Sequence, residues 1–331
     1  MEDEIVNKAV EWSVMGITID GTLTVPKRSA VRSAVVFVAG SGPTDRDWCS
    51  PLLPGTNGSA KLLAEALARN GLATIRYNKI ASGPHVRENL PKFAGKVSMQ
   101  THLEELKGAV ITLEEEMNGN IQDVFALTNS EGAIHAVNYQ LQSGNSERFK
   151  GMVLTGAPGR AVGEVARSQL VAQSKSYPGA EEVLRHYDSA VAEFLAGRAV
   201  VPDPSMPEIV KLLLQSLTSP SNLPFSRELW TYSLPEHLKK VEVPILTVIG
   251  KKDIQVDWRV DGSAIEGAMA GKDGASFSYP ENANHVLKHE ELPLEKLTLQ
   301  YVAEHYNAPD AVLDEETLRS ILEWLGDQAQ P

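Results

Sequence analysis

A serine, an aspartate and a histidine that together can activate a hydroxyl occur here in the order Ser130, Asp253, His285, each in a loop or turn. A serine hydroxyl is a weak nucleophile until a neighbouring base takes its proton, and the imidazole base needs a carboxylate to hold its tautomer. Ser130 lies where the apolar run Val124-Phe125-Ala126-Leu127 ends and the helix-compatible segment Gly132-Ala133-Ile134-His135-Ala136 begins. A serine on such a strand-to-helix turn projects its hydroxyl from the sheet at the next helix N-terminus, where negative charge is favoured. Thr128 stands where the pattern G-x-S-x-G has its first glycine, and its Cβ is expected to crowd the turn. Serine is also a frequent helix N-cap, so this segment alone leaves both roles open.

Joint placement decides between them. Asp253 follows the strand-like run Pro244-Ile245-Leu246-Thr247-Val248-Ile249, and His285 follows Ala275-Ser276-Phe277-Ser278-Tyr279. Alone, Asp253 reads as a turn or capping residue and His285 as a solvated side chain; Asp257 competes for the acidic role. Three separate loops nevertheless carry the three required residues in a chain order in which the triad occurs, at the strand ends where α/β sheets bind ligands. A fourth loop, Gly40-Ser41-Gly42-Pro43-Thr44-Asp45-Arg46-Asp47, offers small residues that let backbone N–H groups approach a developing oxyanion. The elbow arrangement makes the Glu131 N–H one donor and the Ser41 N–H the other. A Gly-x-Gly loop also cradles phosphate, but Asp45 breaks G-x-G-x-x-G and no P-loop lysine follows.

The remaining polar candidates carry less. Asp45, Arg46 and Asp47 are expected to form an ion-paired brace, with a polar pocket wall as the alternative. Cys49 reads as a bystander and His135 as a packed or solvated helix residue, while His102, His237 and His289 lack a comparable setting. No cofactor site and no metal site are expected: H-E-x-x-H, paired cysteines and clustered ligands are all missing from the sequence.

The elements that must position these loops alternate. Ile17–Ile19 and Thr22–Val25 read as strands about an Asp20-Gly21 turn, and Ala34–Ala39 as a strand buried on both faces. A helix is expected over 59–70, a strand over 72–77, a helix over 99–118, a strand over 123–127, a helix over 131–142 and a strand over 150–155. Residues 159–240 break the alternation with helical stretches at 162–176, 180–195 and 207–217. Strands resume at 244–249 and 275–279, and a helix over 314–328 closes the chain. The pattern implies a mainly parallel sheet flanked by helices. Residues 1–158 and 241–331 then form the α/β core and 159–240 a helical insertion, whose aromatics Phe194, Phe225, Trp230 and Tyr232 pack its interior or line a pocket.

Bulk composition narrows the partners. The 331 residues are 42% hydrophobic and 22% charged, with a formal charge of −12. Such an acidic surface disfavours nucleic acid and anionic membrane surfaces, which need clustered Lys and Arg. No apolar stretch approaches the roughly 18 residues of a membrane span, so stable membrane anchoring is not expected. One cysteine excludes an intrachain disulfide, and the acidic start Met1-Glu2-Asp3-Glu4 is unlike a secretory signal, which reads as a cytoplasmic protein.

Together these features resemble the α/β-hydrolase superfamily over nearly the whole chain. The run Ala39-Gly40-Ser41-Gly42-Pro43-Thr44-Asp45-Arg46-Asp47 is similar to the corresponding loop of bacterial serine esterases and lipase-like hydrolases, as are Ser130-Glu131-Gly132, Gly250–Asp253 and Asn284–Lys288. The resemblance implies the α/β-hydrolase fold with a helical cap at 159–240 and cleavage of small carboxylic esters through an acyl-enzyme. A serine at 130 disfavours the branches with an aspartate or cysteine nucleophile. Three alternatives stay open on the same residues: a peptidase or amidase, an acyltransferase, and a non-catalytic binding protein.

Overall fold

The computed structural model describes residues 4–27, 30–142, 148–174 and 179–329. Among them, eight strands form one sheet: β1 (Ile5–Val14), β2 (Ile17–Pro26), β3 (Ser33–Val38), β4 (Ala73–Tyr77), β5 (Asp123–Asn129), β6 (Gly151–Thr155), β7 (Ile245–Val248) and β8 (Ala275–Ser278). Their spatial order is β1-β2-β4-β3-β5-β6-β7-β8. β1 and β2 run antiparallel, as do β2 and β4, and every other neighbouring pair is parallel.

The first hairpin differs from the sequence expectation. β2 runs unbroken through Asp20-Gly21, with Gly21 paired to Val10 on one side and Tyr77 on the other. The chain turns instead at Met15-Gly16, where both residues have positive φ (51° and 77°), as a two-residue turn matching the sheet twist requires. Asp-Gly is a strong turn signal locally, but pairing on both edges overrides it.

The central strands are buried end to end, and alternate residues of β3 feed opposite faces. Ala34, Val36 and Val38 enter one core with Leu106 and Val110 of α3 (Met99–Glu116) and Ile134 and Val137 of α4 (Gly132–Leu141). Val35 and Phe37 enter the other, with Leu63 and Leu67 of α1 (Ser59–Arg69) and with Ile321, Trp324 and Leu325 of the closing helix over Glu315–Gln328. A strand covered on both faces reads as a continuous apolar run, which is why β3, β5 and β6 are legible in the sequence. The short helix α2 (Val86–Phe93) carries Pro91 internally and was not expected.

Four helices follow β6: α5 (Val162–Ser174), α6 (Ala180–Leu195), α7 (Glu208–Thr218) and α8 (Phe225–Trp230). The end of the helix expected to reach Ser176 lies outside the described residues. These helices share their own cluster, built on Leu170, Tyr187, Phe194, Val210, Leu214 and Trp230. Phe194 and Trp230 are therefore interior residues. The next helix, α9 (Leu234–Leu238), returns Leu234 and Leu238 to the sheet-side core. Among the described residues no helix is long and apolar enough to cross a membrane.

Candidate active site

Ser130 closes β5 with φ 53°, a left-handed conformation that costs a residue with a side chain about 1–3 kcal/mol. Neighbouring strands hold it there. Its N–H donates to the Thr155 carbonyl of β6 at 2.8 Å, and its own carbonyl accepts from the Ala133 N–H at 3.0 Å as α4 begins. Gly132 is required by close approach, because a Cβ there would stand 2.3 Å from the Val38 carbonyl oxygen. The serine is thereby turned off the end of the sheet and left half-buried.

The crowding expected at Thr128 does not occur. Thr128 is an ordinary strand residue paired with Val38 and Leu154, and its buried hydroxyl donates to the Val153 carbonyl at 3.2 Å. The unusual backbone is at Ser130 itself, two residues further on.

Asp253 and His285 meet on the β6 side of this turn, with Oδ2 and Nδ1 2.7 Å apart and both residues buried. The other carboxylate oxygen of Asp253 accepts from the N–H groups of Gln255 (2.7 Å) and Val256 (3.0 Å), so the acid is held in one orientation. Asn284 sets the histidine loop in the same way, its side-chain oxygen accepting from the N–H groups of Val286 and Lys288. The imidazole lies against Gly156, one residue past Thr155, with Nδ1 and Cε1 3.1 Å from where a Cβ would stand. Nδ1 is committed to Asp253, and among the described residues Nε2 has no protein partner and the Ser130 hydroxyl donates to no protein acceptor. Asp257 does not share the site and instead accepts from the Arg259 N–H at 2.8 Å.

The loop after β3 packs directly on the serine turn. A Cβ on Gly40 would stand 3.3 Å from the Ser130 Cβ and 3.1 Å from the Asn129 side-chain oxygen, so only glycine lets this backbone come so near. Thr44 Oγ1 donates to the Ser41 carbonyl at 2.7 Å. Among the described residues, neither the Ser41 N–H nor the Glu131 N–H donates to a protein acceptor, whereas the Ser130 N–H does. The Asp45–Asp47 stretch forms the expected brace. Arg46 reaches the Gly21 carbonyl at 2.8 Å and pairs with Asp20, while Arg76 pairs with Asp47. Cys49 is buried, and burial pushes its thiol up to about 12, so it stays protonated.

Behind the turn lies a second polar group, in which His135 is packed and Lys79 and Glu105 belong to no motif in the sequence. Lys79, Glu131, His135, His102 and Glu105 are all buried. Lys79 Nζ donates to the Gly40 carbonyl and lies 3.9 Å from Glu131 Oε1; Glu131 Oε1 is 3.1 Å from His135 Nε2. The His135 ring packs on that of His102 at 4.6 Å, His102 Nδ1 is 2.7 Å from Glu105 Oε2, and Phe225 of α8 covers both rings. Burial alone would push the Glu131 carboxyl up. The His135 bond and the Lys79 ammonium outweigh it and hold that carboxyl well below the usual range. Burial lowers the His135 pKa, so a neutral ring donates from Nε2 to Glu131, and its unpartnered Nδ1 is left as an acceptor rather than a buried N–H. Asn129 belongs to no motif either; its amide donates to the His285 carbonyl at 3.0 Å and ties the histidine loop to the serine strand. The available signal was positional, since Asn78-Lys79 and Asn129 are polar residues at the C-terminal ends of buried parallel strands.

This architecture, a mainly parallel sheet with the serine turn after β5 and the aspartate and histidine after β7 and β8, is the α/β-hydrolase fold. Its structure is similar to an esterase of Pyrococcus furiosus (TM-score 0.55, 14% identity, covering 98% of this chain and 91% of that one). It is equally similar to the proline iminopeptidase of Mycobacterium smegmatis (TM-score 0.56, 14% identity, 97% and 98%). In sequence it is 27% identical over 278 residues to Esterase EstD of Thermotoga maritima, covering 81% of this chain and 58% of that protein. The chain thus spans under two thirds of the length of that curated relative. No protein-family model matches it.

Proposed function

We propose that the chain is a serine hydrolase that cleaves carboxylic esters of small molecules through an acyl-enzyme on Ser130. The observation that carries this reading is the buried 2.7 Å contact between Asp253 and His285, set beside a serine held at φ 53°. In this mechanism His285 Nε2 takes the Ser130 proton as Oγ attacks the ester carbonyl. The Ser41 and Glu131 N–H groups receive the negative charge of the tetrahedral intermediate. His285 then gives its proton to the leaving alkoxide, and the alcohol departs. Water attacks the acyl-enzyme with its proton passing to His285, and the carboxylic acid leaves as that proton returns to Ser130. Asp253 holds the tautomer and stabilises the imidazolium throughout.

Residues 159–240 act as a cap in this reading, supported by the separate apolar cluster of α5 to α8 and by Phe225 reaching the core beside His102. The sequence similarity to a named esterase favours ester over amide substrates. A fluorophosphonate probe and a short-chain p-nitrophenyl ester test the proposal. Labelling and turnover should both vanish in Ser130→Ala. Turnover of an aminoacyl amide with none of the ester would replace this reading with a peptidase, and an unlabelled wild-type protein would leave a binding protein.

A further inference from the structure

Lys79 occupies an uncommon position for a cation, wholly enclosed beneath the serine turn with its ammonium directed at a backbone carbonyl. That carbonyl belongs to Gly40 and so to the peptide unit whose N–H is on Ser41. Among the described residues the cis peptide bonds include only Leu223-Pro224, so this unit is trans. In a planar trans peptide the C=O and N–H point in opposite directions. An ammonium that draws the Gly40 carbonyl inward therefore turns the Ser41 N–H outward, beside Ser130, whose Cβ lies 3.3 Å from the Gly40 Cβ position. The Ser41 carbonyl on the far side is held by Thr44 at 2.7 Å, so both flanks of the unit are held.

We propose that Lys79 is a positioning residue for the oxyanion hole: it holds the Gly40–Ser41 peptide in the one orientation that presents the Ser41 N–H to the developing negative charge. The inference rests on the serine-hydrolase reading above. Glu131 is the lysine's counter-charge at 3.9 Å and also carries the second donor on its own backbone, so one buried ion pair ties together the two halves of the hole. Without the lysine, the Gly40 carbonyl would be a buried acceptor lacking its donor, a condition costly enough to favour rotation of the peptide. Rotation would aim a carbonyl oxygen, in place of an N–H, at the oxyanion. Burial lowers the lysine's pKa, and the carboxylates of Glu131 and Glu105 oppose that shift only in part. His135 and His102 are the other titratable groups packed around this pair.

The test compares Lys79→Met/Glu131→Gln with Glu131→Gln, because the lone Lys79→Met would strand a buried carboxylate and risk unfolding. Both proteins keep the backbone donors; in Glu131→Gln the lysine loses its nearest carboxylate but keeps the Gly40 carbonyl and the charge of Glu105. The double variant should show kcat lower by about 100-fold than Glu131→Gln, with KM within about threefold. Affinity for a trifluoromethyl ketone, which forms a tetrahedral adduct on the serine, should fall by the same factor, and Tm should match that of Glu131→Gln. In the native background Lys79→Arg, which retains a charged donor, should stay within about tenfold of wild type. Equal kcat and equal ketone affinity in the double variant and Glu131→Gln would overturn the proposal and leave Lys79 a packing residue. Wild-type protein with neither Ser130-dependent turnover nor fluorophosphonate labelling would overturn the serine-hydrolase reading itself, and the role of Lys79 with it.

Discussion

Two histidine–carboxylate contacts flank the serine turn, one on each side, and both measure 2.7 Å: His285 with Asp253, and His102 with Glu105. Both lie in buried surroundings, and they differ in what stands beyond the ring. Next to His285 is a half-buried serine in a left-handed conformation at the strand ends. Next to His102 are the His135 ring and Phe225, which close the group off. A carboxylate orients an imidazole in either place. Only where the other nitrogen has a proton to move and a substrate can arrive does that orientation become chemistry. On the closed side the same contact satisfies buried polar atoms and supports the turn from behind.

Substitutions on the two sides should therefore fail in different ways. The largest effect is expected at Ser130, where alanine should lower kcat by about 100,000-fold or more with little change in Tm. Ester turnover above one hundredth of wild type in that variant would put the chemistry elsewhere. Asp253→Asn should lower kcat by about 10,000-fold with the protein still folded, whereas Glu105→Gln on the closed side should keep kcat within about tenfold. A steady-state comparison of the two variants measures the asymmetry directly.

Truncation on the closed side should appear as lost stability. Glu105→Ala removes the acceptor of the Ile80 N–H (2.5 Å) and of His102, and should cost about 3 kcal/mol in urea unfolding. The smallest effect is a pH dependence. Burial holds the His135 pKa below its ordinary value of 6.5, so below that pH the unfolded chain takes up a proton that the folded chain refuses. Stability should fall as pH drops from about 6.5, by at most about 1.4 kcal/mol per pH unit for this group. Glu131, held below its ordinary 4.5, adds its own loss below that value. Unfolding curves for His135→Gln should show a shallower slope than wild type between these two values, and equal slopes would remove His135 from the account.

The legible parts of the molecule were those with a local signature. Strands covered on both faces appear as apolar runs, and β3 and β5 to β7 were found that way. The hairpin was misplaced because Asp20-Gly21 carries a turn signature and Met15-Gly16 a weak one, while pairing with both β1 and β4 decides the matter. α2 escaped because Pro91 contradicts its pattern. At the site, Ser130, Asp253 and His285 drew notice by residue type after a strand. Lys79 and Asn129 sit in equivalent places, but their partners are backbone carbonyls at Gly40 and His285, distant in the chain and carrying no side-chain signal. Thr128 departs from the motif's glycine in residue type but not in geometry, because it lies within β5 and its hydroxyl donates to the Val153 carbonyl.

By itself the sequence determined the order of the elements, the parallel character of the sheet and the loops on which reactive side chains stand, because these follow from apolar periodicity and glycine placement along the chain. Only the tertiary structure decided which residues meet: Asp253 with His285 across the ends of β7 and β8, and Lys79 with the carbonyl of Gly40. Those contacts depend on strand order and on the direction of single peptide units, and both are settled when the sheet assembles and its helices close over it.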